Sequence, residues 1–347
     1  MPTPDQIIEQ LSQFMLDPTR LPTAIVAILI VLFGGMIRGG LGGNATPFFW
    51  HIMDILFGRL GSRMDKPGRL KGDLIFRGFL LTVFGLAIAF LIGRATTYLI
   101  AIYPFWSLIE ISGLCLALTG GAIFAGLGRL YRALNEKQVT KGAYYTIART
   151  TRSDMSRADD YGITRIGMGM SLRFFDKGMV APIIWFLIAG LPAAFLYAGL
   201  AALSWRFGRD GHNSGFGSSA MALEKLMGFA PNLLSGLLIS CAALVTPTAG
   251  FTRSLMALLP FKKSAKYEEG GAPITAASHA LAVTLGGATN DLDGFALKND
   301  WVGPEKATAQ LDAKHLHRVI YLCFIAHIFF IASLAGAMVF AGNGFGF

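Results

Sequence analysis

Charge is scarce in this chain. Of its 347 residues only 15% are Asp, Glu, Lys or Arg, while 53% are hydrophobic, and the mean hydropathy is +0.53. Soluble domains carry roughly 25% charged residues, so this balance excludes an ordinary water-facing globule. Cysteine is scarcer still. Cys115, Cys241 and Cys323 stand far apart in apolar segments without C-x-x-C spacing, which leaves neither a disulfide framework nor a thiolate zinc site and makes them small core hydrophobes. No H-E-x-x-H occurs, and His315 and His317, two positions apart, cannot share a helical face. A metal centre is therefore not expected. His51, His212, His279 and His327 are isolated and read as hydrogen-bonded structural histidines. The first 20 residues hold Asp5, Glu9 and Asp17 but only Arg20; without a basic n-region, the first apolar run reads as an uncleaved anchor. A net charge of +9 comes with no helix-turn-helix and no aromatic stacking platform, so no nucleic-acid partner is expected.

Long apolar runs are plentiful. Six segments, 22–37, 78–93, 107–128, 179–203, 226–246 and 319–341, approach the roughly 20 residues that a spanning helix needs. They predict an all-α, polytopic membrane bundle of about six spans with two helical cytoplasmic lobes. The division is 1–128 for the first spans, 129–178 for a helical loop, 179–246 for central spans, 247–318 for a second lobe, and 319–347 for the last span and tail. Loops 38–77, 129–177 and 253–318 hold 25 of the 30 Lys and Arg, which places them in the cytoplasm of a bacterial inner membrane by the positive-inside rule. That leaves Arg20, Arg94, Arg206, Arg209 and Lys225 for the other compartment, although the three in 206–225 would also suit the cytoplasmic face. The basic face suits anionic lipid headgroups or phosphorylated substrates.

Residues 47–60 read as an interfacial helix with Trp50 at headgroup depth. Gly35, Gly39 and Gly43 show the small-xxx-small spacing of close helix packing; a phosphate-cradling loop is the other reading, without the Lys-Ser/Thr of a P-loop. Glu110, inside the third span, lies either near the outer interface or in a buried polar contact. Lys262, Lys263 and Lys266 read as positive-inside residues, and Asp291 and Asp293 flank the Gly286–Gly287 pair.

The stretch Gly178 to Tyr197, G-M-V-A-P-I-I-W-F-L-I-A-G-L-P-A-A-F-L-Y, resembles the CobD/CbiB family, with its G-V-x-A-P-x-x-W followed by G-L-P and Tyr. Gly178, Ala181, Pro182, Trp185, Gly190, Leu191, Pro192 and Tyr197 carry the likeness. Before it, S-D-M-S-R-A-D-D-Y-G-I-T-R resembles the family's R-D-T-x-x-L-D-E-x-G-I-x-R through Asp154, Asp159, Asp160, Gly162, Ile163 and Arg165, with the first Arg either displaced to Arg152 or lost. Looser matches are F-A-P-N-L at 229–233 and A-L-A-V-T-L-G-G at 280–287.

The resemblance implies an adenosylcobinamide-phosphate synthase-like role in late cobalamin assembly: an ATP- and magnesium-dependent joining of an amino-alcohol phosphate to a corrinoid. Departures fall on the polar set. Where the family has E-S-x-A-E-N-x-x-D-G, this chain has Gly169, Arg173, Phe174 and Lys177 before Gly178. Asp154, Asp159, Asp160 and Asp176 are the remaining candidate catalytic carboxylates, and Arg152, Arg165, Arg173 and Lys177 the candidate phosphate-binding cations. Two functions follow: a catalytically degenerate relative in cobalamin assembly, or a non-catalytic subunit or regulatory scaffold of a larger membrane complex.

Overall fold

The computed structural model describes residues 17–344, except 18, 41, 67, 104–105, 140–141, 209–214, 260–263, 293–295 and 298. Asp5, Glu9, Arg209, His212, Lys262, Lys263 and Asp293 lie outside the described residues. Helix dominates, as an apolar chain in lipid requires, because every backbone group there must find an internal partner. By length and composition five helices can cross a membrane, or six if a pair bent by 44° counts as one span.

Helix α1 is Arg20–Arg38. Short helices α2 (Phe48–Met53) and α3 (Arg59–Met64) follow, joined through a π-helical turn at Asp54–Gly58. Then come α4 (Lys71–Ile102), α5 (Trp106–Ala117) and α6 (Gly121–Asn135). The expected single span 107–128 is thus two helices, α5 and α6, meeting at the 44° bend. Both run alongside α1: Cys115 Sγ meets the Ala27 carbonyl, and a Cβ at Gly121 would collide with the Leu32 carbonyl oxygen. Gly35 packs on Gly121 and Ala122, as the small-residue spacing predicts. Gly39 and Gly43 do not, because both lie past the helix with left-handed φ of 71° and 76°.

Helix α7 is Tyr145–Thr151, and strand β1 (Ser153–Asp154) leads to α8 (Asp160–Phe175), a π turn (Asp176–Val180) and α9 (Ala181–Phe207). The expected span 179–203 is not straight. Ala189 and Gly190 leave helical geometry, Gly190 at φ 70°, and Pro192 has no N–H to bridge the break. Trp50 measures the consequence. Its ring lies 5.4 Å from Phe174 and 5.9 Å from Trp205, residues that a straight helix would hold about 46 Å apart. The run from α8 through α9 therefore folds back as a hairpin around Trp50. Trp50 itself is buried in the core and presents no face to headgroups, because α2 is drawn between the limbs; Phe49 stacks on Phe195 at 4.6 Å.

The hairpin returns its far end to the basic side. Arg206 meets Asp54 at 3.1 Å and Trp205 Nε1 donates to the Thr150 carbonyl at 2.8 Å, so Arg206 belongs with loop 38–77 and not with the opposite compartment. Helix α10 (Ser218–Ala242), α11 (Phe251–Ala257) and α12 (Gly271–Leu281) follow. Strands β2 (Leu285–Gly286), β3 (Thr289–Asp291), β4 (Ala296–Leu297) and β5 (Trp301–Val302) form two small antiparallel sheets. One of them takes in β1, pairing Ser153 with Asp291 and Asp154 with Asn290, and so joins the two polar segments. Helix α13 (Ala313–Gly344) closes the bundle, with His327 ringed by Phe124 and Phe175.

Candidate functional site

Three prolines open the helices where the polar side chains gather. A proline lacks the N–H that would bond the carbonyl four residues back, so each frees one acceptor inside the bundle. Pro182 frees the Gly178 carbonyl, which accepts from the Thr119 amide at 2.8 Å. Pro231 frees the Met227 carbonyl, which accepts from Trp185 Nε1 at 3.2 Å. The break before Pro192 opens the Leu187 carbonyl to Arg20 Nη1 at 3.2 Å. These bonds tie α5–α6, α9 and α10 to one another and fix the π turn Asp176–Val180 between them.

On that turn sit Asp176 and Lys177, both buried. Both Asp176 oxygens are engaged: Asn232 Nδ2 donates to Oδ2 at 2.5 Å and Ser235 Oγ to Oδ1 at 3.0 Å. Lys177 Nζ lies 2.6 Å from Glu224 Oε1 and 4.5 Å above the Tyr267 ring. Tyr267 donates to Glu224 Oε1 at 3.3 Å, and its phenol is pushed up by burial, then by the carboxylate of Glu224 and the neighbouring Tyr197. Asn232 is held in turn, since its Oδ1 accepts the Ala272 amide at 2.8 Å. One turn before Asp176, Arg173 Nη2 donates to the Glu269 carbonyl at 3.2 Å. Burial raises the Glu269 carboxyl above its ordinary range, although its Oε2 accepts the Asp300 amide at 3.2 Å.

The other candidates lie elsewhere. Asp159 caps α8, accepting from the Gly162 amide at 2.8 Å, and Asp160 is exposed in the first turn. Asp154 Oδ1 accepts the Ser156 amide at 2.9 Å, a bond that holds its carboxyl below the usual range. Arg152, at φ 55°, lies 5.1 Å over Trp205, and Arg165 lies 4.6 Å over Trp301. Glu110 faces Arg20 and Thr23 at the far end of α1. Of the eight candidate site residues, Arg173, Asp176 and Lys177 come together in the buried cluster, while Arg165 and Asp159 face each other apart from it. The cluster's partners Glu224, Ser235, Tyr267 and Glu269 were not singled out. The one legible signal is Glu224 itself, the lone acid on membrane-length α10.

This arrangement does not fit magnesium nucleotide. A divalent cation needs several hard oxygen ligands converging on one point, yet Asp176 is turned to the Asn232 amide and Ser235 hydroxyl and the Lys177 ammonium occupies Glu224. Among the described residues no group of three or more His, Cys, Asp or Glu is placed to hold a metal ion.

Comparison with known proteins gives a consistent pattern. Residues 42–323 match the protein-family model described as CobD/Cbib protein. The chain is 25% identical over 311 residues to a cobalamin biosynthesis protein CobD of Clostridium acetobutylicum, covering 86% of this chain and 95% of that one. It is 29% identical over 190 residues to a protein of the same name from Geobacter metallireducens, covering 53% and 51%. A third, from Rhodobacter capsulatus, is 29% identical over 147 residues, covering 42% and 45%. No solved structure matches.

Proposed function

Because the chain belongs to the CobD/CbiB protein family, we propose that it serves late cobalamin assembly as a membrane protein whose inherited bundle no longer carries magnesium–nucleotide chemistry. One observation carries the reading: the Lys177–Glu224 pair at 2.6 Å. At 173 and 177 the family pattern has carboxylates, and here both positions are cations, with Glu224 and Glu269 facing them from other elements. The exchange keeps the site near neutral and the helices joined, while removing anionic ligands from the turn where a metal-bound phosphate would sit.

The proposed setting is the bacterial inner membrane with the basic end in the cytoplasm. The proposed partners are a corrinoid, an amino-alcohol phosphate, or other subunits of a membrane assembly. A second reading, retained amide-forming ligase activity, draws support from Arg152 and Arg165, each held over a Trp ring, guanidinium being a group whose geometry matches phosphate. Purified protein in detergent, given a corrinoid and Mg–ATP, separates the two. Corrinoid binding by visible absorbance without ATP turnover is expected. ATP turnover that disappears in Asp176→Asn would restore the ligase, and no corrinoid binding at all would remove the cobalamin role.

A further inference from the structure

Helix α10 has the length and hydropathy of a span, but its two ends lie at the same end of the bundle. The basic end is defined by α1, α4 and α6. Arg129 near the end of α6 approaches Gly39, just past α1, and Arg149 donates to the Gly42 carbonyl. Along α4, Gly93 packs on Pro192, Gly85 on Leu203, and Gly78 on the Phe216 carbonyl. The return limb of the hairpin thus descends beside α4 toward Lys71, ending where Arg206 meets Asp54.

Gly215, just before α10, packs on Lys71 and Ile75, so α10 starts at the basic end. It also finishes there. Past its last turn the Thr248 carbonyl accepts from Arg318 Nη2 at 3.1 Å, and Arg318 belongs to the first turns of α13, beside His317, whose ring meets Tyr131 of α6 at 5.3 Å. A single crossing would separate these ends by the roughly 30 Å hydrocarbon thickness.

The two faces of α10 differ in kind. Glu224, Asn232 and Ser235 point into the buried cluster around Asp176 and Lys177. Leu226, Phe229, Leu233 and Leu237, spaced three and four apart, are 75%, 61%, 45% and 44% exposed, and Leu244, Val245, Met256 and Leu259 extend the surface. It adjoins the exposed Phe76 and Phe79 of α4, next to the Ile75 that Gly215 touches. Lys225 and Arg253 flank it and are exposed.

We infer that α10 does not cross the membrane but lies in its plane at the basic end, with its Leu226–Phe229–Leu233–Leu237 stripe covered by the acyl chains of that leaflet. Continuity with the apolar flank of α4 and the flanking cations select lipid as the occupant, since an in-plane amphipathic helix buries its apolar face among acyl chains beside anionic headgroups. The lipid-covered helix is then the same one that supplies Glu224 to Lys177.

Cysteine labelling in sealed vesicles tests the topology. Ser218→Cys and Thr248→Cys, in the otherwise unaltered chain, are treated with a membrane-impermeant maleimide and the labelled peptides located by mass spectrometry. Arg63→Cys marks the basic end and Tyr103→Cys the opposite end. Both test positions are expected to label with Arg63→Cys; labelling on opposite sides overturns the proposal. Spin labels at Leu226→Cys, Leu233→Cys and Leu237→Cys, one per variant, give depth from oxygen and nickel-chelate accessibility. A crossing helix grades depth by about 16 Å over these 11 positions. Equal depth with high oxygen access is expected, and either graded depth or water-exposed or immobilised labels sheltered from lipid would sink it.

Discussion

Lys177 and Glu224 face each other at 2.6 Å with both side chains buried. An ion pair buried this deeply contributes little net stability, since desolvation offsets most of the attraction, but losing one partner strands a charge. Glu224→Gln should therefore destabilise the protein by about 3–5 kcal/mol, read as a lowered melting temperature in detergent. Lys177→Met together with Glu224→Gln should recover most of that loss. Additive damage in the double variant would show that the pair is not the unit. Glu269 offers a pH test. Its folded-state carboxyl is raised by burial, so the proton is held more tightly when folded. Its contribution is complete below the ordinary glutamate range near pH ~4.3 and is lost as pH rises through the raised value. The melting-temperature difference between wild type and Glu269→Gln should shrink or reverse as pH climbs across that window; a constant difference would refute the assignment. At this scale the sequence exposed the cations and Asp176 but not their acids. Asp176 and Asn232 are 56 positions apart, and no local pattern encodes such a meeting.

The family-like pattern acquires a physical meaning at the level of elements. Pro182 opens Gly178 to Thr119, and Trp185, three residues on, reaches the carbonyl that Pro231 opens in α10. Two motifs legible separately, A-P-I-I-W and F-A-P-N-L, are joined by a single indole hydrogen bond. Trp185→Phe keeps ring packing and removes only the donor, leaving the Met227 carbonyl without its partner. A loss of about 1–3 kcal/mol is expected, together with weaker protection of α10 amides in hydrogen exchange; unchanged exchange would argue that the bond is incidental. Gly190 belongs to the same set. At φ 70° it takes a left-handed geometry open to glycine and costly for other residues, which turns a membrane-length run into two limbs. Counting apolar residues could not separate a span from a hairpin of the same composition.

Across the whole molecule, Trp50 is the pin of the hairpin, lying between Phe174 on one limb and Trp205 on the other. Trp50→Ala should cost about 3–5 kcal/mol through the cavity it leaves and should expose Trp205 to aqueous quencher, whereas an unchanged quenching profile would mean the limbs hold without it. The amino-acid order alone determined a predominantly helical membrane bundle, because a chain with so few charges and such long apolar runs must satisfy its backbone internally. It also marked the glycines and prolines where helices break, and the family. Tertiary structure alone decided where the long runs turn back, that Arg206 sits beside Asp54, and that the cations at 173 and 177 meet acids carried on other elements. Hydropathy measures transfer from water to lipid, which is the same for a crossing helix and a folded one; the path is chosen by carbonyls, side chains and charges that meet only after the chain has packed.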